Sequence, residues 1–269
     1  MNAYKRLMSE ANEHLTRLLV AIEHGTHRSL IFPWAEGGNL LQFWKTRSDV
    51  ASYPPDYNWA RWMAKQFSGM AGVLKQVHTP TKLDAPKNSQ HLPPPNQNLT
   101  PDRTKKRGIH GDLKPENILW FIDSTRDDVP VPEDDGDGPK GILKVADFGL
   151  AAFLSKASYR RPAKGMAVSK THRAPEYEEE LVTPDADLWS FGCILLEFLV
   201  WYQYGMEGGI DRFSDQRADE ESIKANEQYQ EDKFFIEDVE RQSARPSRVC
   251  FKVKDAVTEV SYRTYKISP

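Results

Sequence analysis

The sequence predicts an α+β fold whose second part is mainly helical, and three observations support this prediction. Apolar residues recur at helical spacing over residues 59–78. Residues 185–204 form a strongly apolar stretch with the length of a buried helix. Four short apolar segments, each bounded by turn residues, have the length of strands instead. These strand segments are 14–23, 29–34, 118–122 and 142–145.

The first two strand segments are predicted to pair through a turn at Gly25. Gly37 and Gly38 then break the pattern. Asn39 is suited to cap a helix that begins at Leu40, because its side chain can accept a hydrogen bond from the free backbone amides of the first turn. The long helix over residues 59–78 places its apolar side chains on one face: Trp59, Met63, Phe67, Met70, Leu74 and Val77.

Two segments are predicted to be flexible insertions. Residues 79–107 are rich in Pro, Asn, Gln and Lys, and residues 123–140 are acidic and rich in Pro and Gly. Neither can bury enough apolar surface to offset its ordering entropy. The second insertion separates segments 118–122 and 142–145, which therefore suit a hairpin with a long tip. Residues 211–232 are highly charged and show no clear apolar face.

Composition and charge exclude several classes of protein. The 269-residue chain has a net charge of −3, which implies no general affinity for nucleic acid or acidic membranes. Its longest apolar run, 191–202, contains Glu197 and is too short to span a bilayer. The two cysteines, Cys193 and Cys250, show no metal or redox spacing. No secretory signal is visible, so we expect an intracellular protein, cytoplasmic or nuclear.

Three motifs carry the chemical signal. Residues 109–119 read Ile-His-Gly-Asp-Leu-Lys-Pro-Glu-Asn-Ile-Leu, residues 147–149 read Asp-Phe-Gly, and residues 174–176 read Ala-Pro-Glu. In this order they resemble the catalytic core of eukaryotic protein kinases of the serine/threonine type. The resemblance implies a protein-kinase-like fold. Residues 1–38 would be a reduced N-lobe of about two strands with the hinge, and residues 39–269 the C-lobe.

The resemblance also implies roles for the residues of these motifs. Asp112 would be the base that accepts the substrate hydroxyl proton, and Lys114 would steady the transferred phosphate. Asn117 and Asp147 would hold Mg²⁺ against the phosphates of ATP. The Asp-Leu-Lys-Pro-Glu-Asn run favours a protein substrate with a serine or threonine acceptor. No nucleic-acid or membrane partner is implied, and the oligomeric state stays open.

Residues 29–40 resemble the strand and hinge between the two kinase lobes. The carbonyl of Pro33 and the amide of Ala35 would meet the adenine edge of ATP, and Asn39 would lie at a ribose-contact position. The missing N–H of Pro33 is compatible with this role because only its carbonyl is needed. Leu119 matches a packing position beside the nucleotide.

The chain departs from the family pattern at two places. Gly111 stands where most members have an arginine that meets a phosphorylated activation loop, so we expect no switching by that route. In addition, no Gly-x-Gly-x-x-Gly loop and no Val-Ala-x-Lys motif is present. Four hypotheses therefore remain: a working serine/threonine kinase, an inactive kinase-like scaffold or truncated fragment, an incomplete reading frame, and a small-molecule kinase.

The rest of the activation segment and the C-lobe gives further expectations. The equivalent of the activation segment lies between Asp147 and Glu176. It contains six basic residues, namely Lys156, Arg160, Arg161, Lys164, Lys170 and Arg173. They fit attraction to an acidic substrate and a solvated loop equally well. Ser169 aligns with a threonine that faces the substrate hydroxyl. Asp187 would bond the backbone of the catalytic loop. By resemblance, Glu176 would pair with an arginine, for which Arg245, Arg248 and Arg263 are candidates.

Overall fold

The computed structural model describes residues 12–47, 57–79, 81–82, 105–122, 141–155, 161–162, 169–179, 181–225, 231–240 and 248–266. Its described strands are β1 Val20–His24, β2 His27–Ile31, β3 Thr81–Lys82, β4 Lys105–Ile109, β5 Ile118–Phe121, β6 Ile142–Val145, β7 Ala152–Ser155, β8 Arg161–Pro162, β9 Leu181–Val182, β10 Phe235–Glu240 and β11 Arg248–Val253. Its described α-helices are α1 Leu40–Thr46, α2 Tyr57–His78, α3 Asp185–Tyr204, α4 Arg212–Ala225 and α5 Asp255–Lys266.

The first two strands form the predicted hairpin, with Val20 opposite Ile31 and a turn at Gly25, whose φ is +60°. The strands are shorter than predicted. Residues 14–16 do not continue β1, because their backbone bonds β6 instead: Val145 N donates to His14 O at 2.7 Å and Thr16 N to Val145 O at 2.9 Å. Every residue of β1 and β2 is exposed.

Helix α1 begins at Leu40 and is capped by Asn39, as predicted. Asn39 Oδ1 accepts from Gln42 N, and Gln42 Oε1 accepts from Asn39 N, both at 2.9 Å. This reciprocal pair is a capping box and satisfies two amides that the helix itself leaves open. It fixes the direction in which the chain leaves the hinge segment, and Leu40, Phe43 and Trp44 are buried behind it.

Helices α2 and α3 enclose an aromatic core, and both were predicted closely from the apolar pattern. Phe43 stacks on Trp62 with ring centroids 5.7 Å apart, and Trp201 Nε1 donates to Trp44 O at 2.9 Å. Aromatic rings bury large areas, so this cluster is a major source of stability. The inward face of α2 is Trp62, Met63, Gln66, Phe67, Met70, Val73, Leu74 and Val77.

The predicted second hairpin is also confirmed: β5 pairs antiparallel with β6, with Ile118 opposite Val145 and Phe121 opposite Ile142. Helix α2 anchors it, because Trp62 Nε1 donates to Gly141 O at 3.0 Å and Leu143 N donates to Gln66 Oε1 at 2.9 Å. The tip, residues 123–140, lies outside the described residues. These bonds attach β6 to α2, and β6 in turn positions β5 by pairing with it. Strand β5 begins directly after residues 110–117, the catalytic loop.

The first predicted insertion requires a correction at both ends. Residues 105–107 belong to β4, which lies between β3 and β7 in a three-stranded sheet, and residues 81–82 form β3. Strand β4 is ordered by backbone pairing with β7. Composition alone cannot reveal a partner so distant in the sequence. Residues 83–104 lie outside the described part.

The region after α3 also differs from the prediction. A π-helical turn, Met206–Asp211, leads into α4, where no apolar face was expected. The inward residues of α4 are Phe213 and the buried Arg217, and a buried arginine reads as polar in the sequence. The hairpin β10–β11 was not predicted, and residues 251–260 divide between β11 and α5. No helix of the described residues is long and apolar enough to cross a membrane.

Candidate active site

The catalytic loop lies between β4 and β5 and holds the carboxylate of Asp112 in a fixed position. Lys114 Nζ lies 2.9 Å from Asp112 Oδ2. Asn117 Nδ2 donates to the backbone oxygen of Asp112 at 2.7 Å and to its Oδ2 at 3.1 Å. A 3₁₀ turn over Pro115–Asn117 brings Asn117 back towards Asp112. The three residues predicted to be catalytic are therefore in direct contact.

The other carboxylate oxygen of Asp112 is left open. Oδ1 is buried and has no hydrogen-bond partner among the described residues. A buried oxygen without a partner is costly for a purely structural residue. Here Oδ2 is held by a cation and an amide while Oδ1 can accept a proton, which is the arrangement required of a positioned base.

Asp187, at the start of α3, supports the loop as the sequence predicted. Its Oδ1 accepts from Gly111 N at 2.9 Å, and its Oδ2 accepts from His110 N at 2.8 Å. His78, the last residue of α2, adds a contact of 2.7 Å between its Nε2 and Oδ2. The side chain of Asp187 is only 2% exposed, so these donors compensate the cost of burying its charge.

The backbone conformation at residue 111 gives a physical reason for a glycine where most family members have an arginine. Gly111 is buried with φ of +82°, a region that side-chain-bearing residues rarely adopt. Tyr177 Oη donates to its carbonyl at 3.2 Å. An arginine at this position would add backbone strain of about 1–2 kcal/mol in the same conformation.

The Asp147-Phe148-Gly149 motif lies against the catalytic loop. Ala146 N donates to Asn117 O at 2.9 Å, and His110 Nε2 donates to Ala146 O at the same distance. The rings of His110 and Phe148 have centroids 4.6 Å apart. Asp147 itself has φ of +57°, which aspartate tolerates better than most residues. Its carboxylate is exposed, and Oδ1 accepts from Gly149 N at 3.0 Å.

The donor set of Asn117 and Asp147 fits a magnesium ion. Asn117 uses its amide nitrogen on Asp112, which leaves its carbonyl oxygen as an acceptor, and Asp147 supplies an exposed carboxylate. Magnesium prefers oxygen ligands and is usually held by one or two side chains together with substrate phosphates. Among the described residues there is no group of three or more His, Cys, Asp or Glu side chains that could hold a metal.

The hinge segment is fastened to β5. Gly37 N donates to Trp120 O at 3.1 Å, and Trp120 N donates to Gly38 O at 2.8 Å. Asn39 and Leu119 form an antiparallel bridge beside these bonds. A Cβ at Gly37 would collide with the Trp120 ring, so this close approach requires glycine. Asn39 and Leu119, two of the predicted nucleotide-contact residues, are thus neighbours. Leu119 follows Asn117 by two residues in the chain.

The remaining hinge residues precede this junction. Pro33 and Ala35 lie between β2 and α1 without regular secondary structure, and the carbonyl of Ala35 accepts from Gly38 N at 3.1 Å. Asn39 commits its Oδ1 to the cap of α1. A ribose contact from this residue would therefore use its amide nitrogen.

The end of the activation segment is held by acidic residues of the chain itself. Lys170 Nζ lies 2.6 Å from Glu231 Oε1, and Arg173 pairs with Glu178 and, at 3.5 Å, with Glu231. These two predicted basic residues thus have internal partners. The side chains of the other four, Lys156, Arg160, Arg161 and Lys164, lie outside the described part. Ser169 is half-buried.

Sequence reasoning missed the residue that connects this segment to α4. Arg217 is 1% exposed, and its Nη2 lies 3.2 Å from Glu197 Oε1. Its guanidinium carbon is 4.1 Å from the ring centroid of Phe213 and 4.2 Å from that of Phe234. Glu197 Oε2 in turn meets His172 Nε2 at 2.8 Å. Burial lowers the pKa of Arg217, and the adjacent Glu197 and Asp232 oppose that shift. In the sequence, Arg217 follows the apolar Phe213 by four residues, and this helical spacing could have indicated that both lie on the buried face of α4.

The predicted arginine partner of Glu176 is not Arg263, which pairs instead with Glu259 one turn away on α5. Arg245 and the side chain of Arg248 lie outside the described residues. Burial raises the pKa of Glu176. A buried arginine, Arg217, pairs instead with Glu197 of α3.

Comparison with known proteins agrees with this geometry. The family model of the protein kinase domain matches residues 105–255, more than half of the chain. "Serine/threonine-protein kinase ATG1" of Beauveria bassiana is 29% identical over 196 residues, covering 69% of this chain and 20% of that protein. The protein of the same name from Pyricularia oryzae is 30% identical over 210 residues, covering 70% and 19%.

A shorter match is "Cyclin-dependent kinase 11" of Dictyostelium discoideum, 37% identical over 93 residues, covering 34% of this chain and 21% of that protein. The chain spans about a fifth of the length of these relatives. The matched family region contains the catalytic loop, the Asp-Phe-Gly motif and the Ala-Pro-Glu motif. The chain therefore belongs to the eukaryotic-type serine/threonine protein kinase family.

Proposed function

We propose that this chain transfers the γ-phosphoryl group of ATP to a serine or threonine hydroxyl of a protein substrate, with magnesium. The observation that carries the proposal is the geometry of Asp112. One of its carboxylate oxygens is held by Lys114 and Asn117, while the other is buried without a partner among the described residues.

In this proposal each residue of the loop has one task. Asp112 Oδ1 accepts the proton of the substrate hydroxyl as that oxygen attacks the γ-phosphorus. Lys114, already 2.9 Å from Asp112, places its positive charge beside the transferred group. Asn117 and Asp147 provide the oxygen ligands for magnesium. The bound ion supplies charge neutralisation for the phosphates of the nucleotide.

The hinge residues supply the nucleotide site in this proposal. The Pro33 carbonyl and the Ala35 amide meet the adenine edge, and Asn39 and Leu119 flank the nucleotide. The backbone bonds between Gly37, Gly38 and Trp120 support this arrangement because they fix the hinge relative to β5. We further propose that residues 1–38 act as a reduced N-lobe and residues 39–269 as the C-lobe.

A kinase-like binding domain without efficient catalysis is the second candidate. It is favoured by one observation: every residue of the β1–β2 hairpin is exposed, and a two-stranded sheet is marginal without packing partners. If weaker contacts to the nucleotide cost about 3–5 kcal/mol of transition-state stabilisation, the rate falls by roughly two to four decades. The residues of the catalytic loop would then be in place, but ATP would be held too weakly for efficient transfer.

The test is phosphoryl transfer from γ-labelled ATP to a serine/threonine peptide library by the purified chain. We expect Mg²⁺-dependent transfer that chelation abolishes and that Asp112→Asn reduces by about 100-fold or more. The exposed Asp215→Asn is the matched control and should leave the rate unchanged. Transfer that persists in Asp112→Asn would contradict the proposal. ATP binding without any transfer in the folded native chain would favour the binding domain.

A further inference from the structure

Tyr177 connects the Ala-Pro-Glu segment to the catalytic loop, although no motif in the sequence singled it out. It is the last residue of the 3₁₀ turn Pro175–Tyr177 and follows Glu176 directly. Its hydroxyl donates to the backbone oxygen of Gly111 at 3.2 Å, across 66 positions of the sequence. Gly111 immediately precedes Asp112. This hydrogen bond therefore reaches the catalytic loop at the residue before the candidate base.

The acceptor of the hydrogen bond is part of the peptide group that carries Asp112. The carbonyl of Gly111 and the N–H of Asp112 belong to the same planar unit, which moves as one body. The N–H end of this unit donates to Nδ1 of His110 at 3.3 Å. Both ends of the unit are thus held, and the point from which the side chain of Asp112 projects is held with them.

This peptide group needs a tether because a glycine precedes it. Gly111 has φ of +82°, and glycine has access to more backbone conformations than any other residue. Asp187 fixes the peptide group on the N-terminal side of Gly111, since its Oδ1 accepts from Gly111 N at 2.9 Å. Tyr177 fixes the peptide group on the other side. Together the two residues select one of the conformations open to the glycine.

The contacts inside the loop do not replace this tether. Lys114 and Asn117 both reach Oδ2 of Asp112, but all three residues belong to the loop. Contacts within a segment determine its internal shape, whereas contacts from outside determine where it lies in the molecule. Asp187 supplies such a contact from α3, and Tyr177 supplies another from the Ala-Pro-Glu turn.

Tyr177 is itself firmly placed. Its ring packs against a cluster of buried apolar residues, and its backbone N–H donates to Ala174 O at 3.1 Å. Because a tyrosine side chain has little conformational freedom, packing of the ring also fixes the hydroxyl. The cluster consists of Ile109, Ala174, Val182 and Ala186, each no more than 1% exposed.

We propose that Tyr177 is a positioning residue. Its hydroxyl holds the peptide group between Gly111 and Asp112, and so keeps the carboxylate of Asp112 where it meets the substrate hydroxyl. The inference rests on the function proposed above, in which Asp112 is the base. It also makes the base sensitive to the Ala-Pro-Glu segment, because a displacement of residues 174–177 withdraws the hydroxyl and frees the glycine.

The first test is backbone nitrogen relaxation of the full chain by NMR, with Tyr177→Phe, which removes only the hydroxyl. Rigid backbone gives order parameters of about 0.85, and flexible backbone gives values below about 0.6. We expect the values of Gly111 and Asp112 to fall towards the flexible range, while those of α2 stay unchanged. The matched control is Tyr204→Phe, at a tyrosine of α3 that is 44% exposed, and it should change none of them. Native order parameters at Gly111 and Asp112 in Tyr177→Phe would overturn the proposal.

The second test is phosphoryl transfer from γ-labelled ATP. Tyr177→Phe should lower kcat by about three- to tenfold, as expected for one hydrogen bond, and leave the KM for ATP unchanged. In an Asp112→Asn background the same change should produce no further loss, because it acts through the carboxylate. An unchanged kcat, or an equal fold loss in that background, would show that Tyr177 does not act through the base and would overturn the proposal.

The two readouts separate this inference from the function on which it rests. Order parameters are measured without turnover, so they test the tether even in a chain that transfers no phosphate. Failure of the proposed function is seen separately, in the transfer assay of the native chain. Circular dichroism should show that Tyr177→Phe remains folded, since only a hydroxyl is removed.

Discussion

At the scale of single residues, Asp187 positions the catalytic loop through hydrogen bonds to two successive backbone amides and a histidine. Asp187→Ala leaves the amides of His110 and Gly111 buried without an acceptor. At about 1–3 kcal/mol for each buried unpaired group, the free energy of unfolding should fall by about 3 kcal/mol or more. Urea denaturation measures this. The neighbouring exposed Asp185→Ala should cost no more than about 1 kcal/mol, and equal losses in the two variants would refute the assignment.

Arg217 is the second residue whose burial leads to a quantitative expectation. Arg217→Met removes the cation beside Glu197, at 3.2 Å, and leaves that carboxylate buried. Breaking a buried ion pair on one side costs about 3–5 kcal/mol, and denaturation should show a loss of that order. The double variant Arg217→Met with Glu197→Leu should recover most of it, because the buried carboxylate is removed together with its cation and only the half-exposed Asp232 loses a partner.

The control for Arg217 is Arg212→Met, an exposed arginine on the same helix. It should change the free energy of unfolding by less than about 0.5 kcal/mol. If Arg217→Met were as mild as this control, the buried ion pair would not contribute to the fold as described.

His14 leads to a pH dependence with a defined sign. Burial lowers its pKa below the usual 6.5, although the hydrogen bond from its Nδ1 to Leu143 O at 2.8 Å partly opposes the shift. As pH falls through 6.5, the unfolded chain takes up the proton before the folded chain does. The stability present above that pH is therefore lost as pH falls towards the lowered pKa.

Urea midpoints of the native chain should consequently decrease between about pH 7 and pH 5. His14→Asn, which cannot titrate in this range, should show a shallower decrease. Parallel midpoint curves for the two proteins would show that His14 does not carry the effect. The comparison uses the difference between the curves, so titration of the other histidines cancels.

At the scale of elements, the capping box of α1 fixes where the chain enters this helix. Asn39→Ala removes the acceptor for Gln42 N and should lower the free energy of unfolding by about 1 kcal/mol. Denaturant titration measures the loss. Asn39→Ser, which also caps helices well, should restore most of the stability. A loss that serine does not restore would mean that the capping hydrogen bond is not the cause.

Elements with a distinct apolar pattern or clear turn residues could be predicted from the sequence. Helix α2 follows from the spacing of its apolar residues, α3 from a continuous apolar run, and the hairpin β5–β6 from two short apolar segments. Helix α4 was missed because one of its inward positions is Arg217, whose charge is compensated by residues distant in sequence. The strands β10 and β11 have six residues each, and they were missed because β10 carries three acidic residues and shows no regular alternation of apolar and polar side chains.

The same division holds for the candidate site. The kinase-like motif grouped Asp112, Lys114 and Asn117 in one site by resemblance, and the structure places both Lys114 and Asn117 in contact with Asp112. The spacing could not predict that His78 of α2 would join Asp187, or that Glu197 would connect His172 to Arg217. Those contacts depend on how three helices pack.

At the scale of the whole molecule, the two parts of the chain differ in how they are held. The catalytic loop and the Asp-Phe-Gly motif rest on a core of aromatic residues contributed by α1, α2 and α3. The hairpin β1–β2 is a two-stranded sheet with both strands exposed, and such sheets are marginal without packing partners. In the function proposed above, Asn117 and Asp147 would hold the phosphates of the nucleotide through magnesium, and Pro33 and Ala35 would hold its base.

Calorimetric titration of the purified chain with ATP, with and without Mg²⁺, tests this account most directly. We expect Mg²⁺-dependent binding that Asp147→Asn weakens by about tenfold or more and that the exposed Asp215→Asn leaves unchanged. Bound nucleotide should also raise the melting temperature by mass action. If the folded native chain binds no ATP with magnesium present, or binds it as tightly in Asp147→Asn, the site is not the nucleotide site described here.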